Sequence, residues 1–179
     1  MRLLLTLLLL SLAGCGFHLR GSEPLPEVMA VSYLALPKGS PLYYELERQL
    51  LAAGGRVVDE AGVASATIKV ESAQIRSRTL SLDTLGRVSE YGLTLSVRYQ
   101  LLDADGAAYG ERLVTHVERD HRFNADAMLA QGAEREKVEL HMYRTAAEQM
   151  VRRLRRAAVM APDLQTESTP ESQPAPAAE

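Results

Sequence analysis

Tyr91, Leu93, Leu95, Val97, Tyr99 and Leu101 take every odd position of one stretch, and Thr94, Ser96, Arg98 and Gln100 fall between them. A side-chain period of two belongs to a β-strand. Clean apolar and polar alternation belongs to an antiparallel strand with one dry face and one wet face. The flanking residues read as its partners. Asp83-Thr84-Leu85-Gly86 and Asp103-Ala104-Asp105-Gly106 are turn sequences on either side. Upstream, Thr67 to Leu82 is strand-like but changes phase: Ile68 and Val70 are even, Ala73 and Ile75 odd, Leu80 and Leu82 even again. A shift in parity implies a bulge or bend, placed near Glu71-Ser72. Downstream, Arg112 to Phe123 is apolar only at Leu113, Val114 and Val117 before its last residue, and reads as a polar edge strand.

Two amphipathic helices frame this meander. Ser40-Pro41 is a helix start, with a capping hydroxyl and a proline where its missing N–H costs nothing. Leu42, Leu46 and Leu50 then recur on one face, and Gly54-Gly55 ends the run. A second, longer helix is expected from an Asn124 cap to a stop at Pro162. Its stripe is Val138, Met142, Ala146 and Met150, joined by Ala147, Val151 and Leu154. Val28 to Leu36 reads as a fairly buried strand, with Met29, Val31, Tyr33 and Ala35 on one face. A short strand is allowed at Arg56 to Asp59. The expected fold is α+β: a two-layer α/β sandwich, with both helices on one face of a roughly four-stranded, mostly antiparallel sheet.

The N-terminus reads as an address. Arg2 precedes the apolar run Leu3 to Leu12, which is too short for a membrane span of ~20 residues. Leu12-Ala13-Gly14-Cys15 then has the pattern of a bacterial lipoprotein signal. We expect residues 1–14 to be removed and Cys15 to carry the lipid; an ordinary signal with an incidental cysteine is the bland alternative. Gly16 replaces the aspartate that favours inner-membrane retention, which points to the outer membrane. Residues 15–27, with Pro24 and Pro26, form a lipidated tether, residues 28–161 the domain, and residues 162–179 a disordered tail rich in proline and glutamate. Cys15 is the sole cysteine, so no intramolecular disulfide can form. A net charge of −3, one unit more negative once Arg2 is removed, argues against nucleic acid as a partner.

Little in the chain suggests catalysis or metal. His116 and His121 flank acids but are five apart on a strand and point to opposite faces. His18 and His141 are remote in sequence. Asp103-Ala-Asp-Gly106 opens like a calcium loop but lacks the later ligands, so a hairpin turn is the simpler reading. No nucleophile motif or phosphate loop is present, and no cofactor is expected beyond the covalent lipid on Cys15. The cations are more suggestive. Arg76 and Arg78 share a strand face near the hairpin tip, and Arg87 lies across the turn. Guanidinium groups there suit bidentate contacts with phosphate, although charge that protects a loop or edge would look the same. Arg152, Arg153, Arg155 and Arg156 match the dipole at a helix end and are also placed to meet anionic lipid or a partner.

Cys15-Gly16-Phe17-His18-Leu19-Arg20-Gly21, Ser89-Glu90-Tyr91 and the run from Met142 to Leu154 resemble, in that order, the LptE family of lipopolysaccharide-assembly lipoproteins. The resemblance implies a non-enzymatic protein that plugs and helps assemble the outer-membrane β-barrel LptD. It implies binding of lipopolysaccharide on its way to the outer leaflet, and anchoring in the inner leaflet of the outer membrane through the lipid. Arg76, Arg78, Arg87 and Lys137 are the candidate contacts with lipopolysaccharide phosphates, chosen from charge and position. On the residues alone, two other readings stay open: an envelope scaffold with the same anchor, and a periplasmic lipid-modifying enzyme.

Overall fold

The computed structural model describes residues 24–122 and 128–165, with side chains described up to residue 122 and over 132–160. The lipidation signal, Cys15, the Gly16 to Gly21 segment with His18, the Asn124 cap and most of the acidic tail lie outside the described residues.

A 3-10 turn, Glu27–Met29, leads into strand β1, Val31–Ala35. Helix α1, Pro41–Ala52, follows. Ser40 caps it, its Oγ accepting from the Tyr43 N–H at 3.2 Å, and Pro41 fills the first turn. Strand β2, Arg56–Val58, returns parallel to β1. Strands β3 (Ala66–Leu82), β4 (Val88–Asp103) and β5 (Leu113–Arg122) form the meander. Helix α2, Met128–Gln165, completes the fold. The sheet order is β2-β1-β3-β4-β5.

The two-layer α+β arrangement expected from the sequence is present, with corrections. The sheet has five strands and is mixed: β2, β1 and β3 run parallel, and β4 and β5 are antiparallel additions. A strand reached through a crossover helix must run parallel to its predecessor, so α1 dictates the direction of β2. Strand β1 is also shorter than the Val28 to Leu36 reading. Its buried residues are Ser32 and Leu34, so the even positions face the helices, and the odd ones are half-buried. Met29 is fully buried, but from the preceding turn. The Ser32 hydroxyl tolerates burial because it donates to the Met29 carbonyl at 2.9 Å. Finally, α2 passes through Pro162 to Gln165. Proline deletes one backbone donor, and a helix already many turns long carries that local loss.

One continuous core joins the layers. Leu42, Leu46 and Leu50 of α1 meet Met142, Ala146, Met150 and Leu154 of α2, over Ile68, Leu95, Val97 and Tyr99 of the sheet. Each fully buried leucine contributes ~1.5–3 kcal/mol relative to exposure. The odd residues Leu93 to Leu101 are all buried, and Tyr91, at the start of the strand, is half-buried. Tyr99 Oη lies 3.0 Å from Thr115 Oγ1 on β5, so both buried hydroxyls have a partner. The helices cover one face of the sheet only. The other face carries the polar residues of β3, β4 and β5, and no described element packs on it.

Candidate functional site

The pairing of β3 with β4 determines which side chains reach that open face. Its register shifts between Val70 and Ser72, leaving Glu71 unpaired, which is the bulge expected from the change of parity. One inserted residue flips every later side chain to the other face. Before the bulge, Ala66 and Ile68 face the core; after it, Ala73 and Ile75 take the core side and Gln74, Arg76 and Arg78 turn outward. Their partners are Ser96, Thr94 and Gly92, which in turn pair with His116, Glu118 and Asp120 of β5. The bulge therefore creates a polar stripe across three strands.

Arg76, Arg78, Thr94, Ser96, His116 and Glu118 line a shallow groove on this face. The Ser96 hydroxyl and His116 Nδ1 are 2.9 Å apart, which fixes that imidazole over the sheet. Among the described residues, Arg76 and Arg78 have no carboxylate within 4.0 Å. Their charge is thus uncommitted. Gly92 matters to Arg78: a Cβ there would stand 3.2 Å from Arg78 Nε and 3.2 Å from Leu80 Cδ2. A glycine inside a strand often marks such a close approach. Here it provides a bare floor on which the guanidinium lies.

Arg87 belongs to a different environment. At the hairpin tip, Asp83 Oδ1 accepts from the N–H groups of Leu85 and Arg87, both at 2.8 Å, and Oδ2 accepts from Arg87 Nε at 2.7 Å. Gly86 has φ 75°, which lets the chain reverse within the turn. The hydrogen bond from the Arg87 backbone, the largest influence, together with the Arg87 guanidinium and the Leu85 N–H, holds the Asp83 carboxyl below its usual range. Arg87 therefore braces the tip, and its charge is matched. Around it, Leu80, Leu82 and Leu85 are exposed, Leu85 by 75 %. A second register irregularity lies between Thr79 and Leu82, where Leu80 has no partner in the ladder. Sequence reasoning did not single out this apolar tip, Gly92, or the Ser96–His116 pair. The parity of Leu80 and Leu82 carried a signal for the first.

Of the other candidates, Lys137 is exposed on α2, on the opposite layer from the groove. The structure thus brings Arg76 and Arg78 together, and sets Arg87 and Lys137 apart from them. His116 and His121 do point to opposite faces, and no group of three or more metal-ligating side chains occurs among the described residues. Asp103 uses Oδ1 to accept from Asp105 and Ala107 N–H at 3.0 and 2.7 Å, so this acid holds a hairpin turn as the sequence suggested. No helix among the described residues is long and apolar enough to cross a membrane.

Comparison with known proteins agrees with this architecture. The family model of LptE, described as lipopolysaccharide-assembly, matches residues 29–154. LPS-assembly lipoprotein LptE of Pectobacterium atrosepticum is 34% identical over 155 residues, covering 85% of this chain and 83% of that protein. The Photorhabdus laumondii protein of the same name is 31% identical over 153 residues, with the same coverage. Among solved structures, an uncharacterized lipoprotein B from Nitrosomonas europaea superimposes with a TM-score of 0.67 at 30% identity, covering 83% of this chain and 96% of that one. The rare lipoprotein B from Shewanella oneidensis, at 20% identity and a TM-score of 0.60 over 76% of this chain and 98% of that one, shares the fold. The chain belongs to the LptE family of lipopolysaccharide-assembly lipoproteins, whose role is not enzymatic.

Proposed function

We propose that this protein is held in the inner leaflet of the outer membrane by a lipid on Cys15, plugs and helps assemble the LptD barrel, and binds lipopolysaccharide in transit. Membership of the family supports the place in lipopolysaccharide assembly. The observation that carries the binding reading is the pair Arg76 and Arg78, side by side on an open polar face with no acidic partner among the described residues. Phosphates on a glycolipid are recognised by such uncommitted guanidinium groups through short, charge-assisted hydrogen bonds. A polar, helix-free sheet face is also compatible with the water-filled lumen of a wide barrel. The protein then needs no reaction chemistry. It offers competing phosphate contacts that loosen lipopolysaccharide from its previous surroundings. Arg87, whose charge is already paired with Asp83, and Lys137, on the far layer, are secondary candidates.

The test is an affinity pull-down of the tagged, lipidated protein from mildly solubilised outer membranes, read by mass spectrometry. A stoichiometric large β-barrel with lipopolysaccharide co-eluting is the expected result. Recovery without a barrel would remove the plug role and favour an envelope scaffold. Arg76→Glu with Arg78→Glu should weaken lipopolysaccharide capture while leaving the barrel bound; unchanged capture would move the binding site elsewhere. Arg76→Glu with Arg87→Glu asks whether the tip arginine shares the load.

A further inference from the structure

The far end of the domain holds a second group of cations, unrelated to the groove. Pro24 and Pro26 of the tether face Arg152, Arg155 and Arg156 of α2 across a cleft, with Val159 and Met160 one turn on. Val159 and Met160 are 63% and 65% exposed. Among the described residues, none of these three arginines has a carboxylate within 4.0 Å. Arg155 Nε is buried in the cleft and has no hydrogen-bond partner. A buried guanidinium N–H without an acceptor is costly and calls for one. Arg153, on the same turns, is committed differently: its Nη1 donates to the Val114 carbonyl at the start of β5.

Position says what the acceptor is. Residues 16–23 separate Cys15 from Pro24, so a lipid on Cys15 lies at most roughly 30 Å from this cleft. Helix α2 packs back along β5, which puts its arginine-rich end at the opposite end of the sheet from the hairpin tip. From the Arg98–Val114 pair to the Leu82–Val88 pair is about 33 Å at the ordinary rise of a strand. Cations beside exposed apolar side chains, next to a lipid tether, have the composition of a surface that meets phosphate headgroups with the apolar residues dipping below them.

We propose that the Arg152, Arg155 and Arg156 cleft, with Val159 and Met160, docks onto anionic phospholipid headgroups of the leaflet that holds the Cys15 lipid. Docking gives the tethered domain a fixed orientation. The groove of Arg76 and Arg78 and the leucine-bearing tip then lie at the end of the domain remote from those headgroups. The inference rests on the anchor reading of the preceding section.

The mature, lipidated protein can test it, because Cys15 is the sole cysteine and its sulfur is taken by the lipid. Val159→Cys then carries a unique environment-sensitive label, and Leu85→Cys serves as a control at the other end. Both are floated with vesicles of phosphatidylcholine alone or mixed with phosphatidylglycerol. The label at 159 should become immersed when phosphatidylglycerol is present, and the label at 85 should stay aqueous. Each arginine near an anionic surface is worth about fivefold, so Arg152→Ala with Arg156→Ala should lower the docked fraction at least about tenfold, as should high salt. Both arginines are exposed, and circular dichroism checks that the variant is folded. Protein that does not float at all would overturn the anchor reading and this inference with it. Flotation with an aqueous label in both vesicles would overturn the docking alone. Equal immersion in both would refute the role of headgroup charge. Immersion that appears only on adding lipopolysaccharide would assign the cleft to that lipid instead.

Discussion

Gly92→Ala separates packing from function at the candidate groove. The new Cβ would lie 3.2 Å from Arg78 Nε, and 3.2 and 3.3 Å from the two terminal methyls of Leu80. These are flexible ends of side chains on an exposed stretch, so each can move by a few tenths of an ångström. Gly92 is not among the residues of positive φ, so alanine fits its backbone without strain. The substitution also restricts the unfolded chain, which favours folding by ~0.4–1 kcal/mol. Crowding offsets part of that gain, and the net change in stability should be under about 1 kcal/mol of either sign. The guanidinium, however, loses the bare floor it rests on. If Arg78 contacts a lipopolysaccharide phosphate, misplacing it forfeits up to the ~1.5–3 kcal/mol of a charged hydrogen bond, roughly a tenfold or greater loss of affinity. Urea denaturation gives the first quantity and a lipopolysaccharide binding isotherm the second, with Arg78→Ala as the reference for complete loss. A stability loss above 2 kcal/mol would refute the view that only mobile tips are disturbed. Unchanged affinity, where Arg78→Ala weakens binding, would refute Gly92 as the residue that seats Arg78.

The buried pair Tyr99 and Thr115 gives a stability prediction inside the core. Either Tyr99→Phe or Thr115→Val leaves one buried hydroxyl with a lost partner and should cost ~1–3 kcal/mol in urea denaturation, while the double variant should recover most of that loss. Burial pushes the Tyr99 phenol up, against smaller opposing effects of Thr115 and Arg153. Its contribution should therefore be complete below the unfolded phenol value near 10 and decline as the pH rises above it, a decline that Tyr99→Phe should reduce. Asp83 works in the opposite sense: its carboxyl is held low, so order at the hairpin tip should persist through mildly acid pH and be lost only as the pH falls through that depressed value. Loss of amide protection at Leu85 and Arg87, taken relative to the intrinsic exchange rate at each pH, would report it, and undiminished protection in Asp83→Asn at neutral pH would contradict it.

What could be read from the residues follows from which physical signals are local. The alternation in β4 survived because five of its six odd side chains meet one apolar layer, and Leu42, Leu46 and Leu50 survived for the same reason. The bulge at Glu71 was legible because a change of parity is written in the sequence itself. Strand β2 was barely visible, since three residues show no period, and with it the parallel half of the sheet. The sequence leaves open which face of β1 meets the helices, because apolar residues occur on both sides, and the buried polar Ser32 is tolerated only through a hydrogen bond to Met29, which no pattern announces. The groove lay between these cases. Arg76 and Arg78 were found by charge, but their isolation from Arg87 depends on Asp83, and their neighbours Thr94, Ser96 and His116 depend on register across three strands.

That dependence on register explains why the polar face can be altered while the fold persists. Past the Glu71 bulge, Arg76 and Arg78 alternate with Ile75 and Ser77, so the cations and the core contacts of β3 are interleaved but point to opposite sides. Replacing an outward side chain removes little from the apolar layer. Deleting the bulge residue would do the reverse: the arginines would turn toward Leu93 and Leu95, and burying unpaired guanidinium groups there would cost more than the strand gains from any new pairing. Glu71 itself is held at 3.1 Å by Arg112, in the segment that leads into β5. An exposed pair of this kind adds little energy on its own. Its place is informative nonetheless: it ties the residue that flips the register to the strand that carries His116 and Glu118, so the two sides of the groove are referred to one another at their common origin.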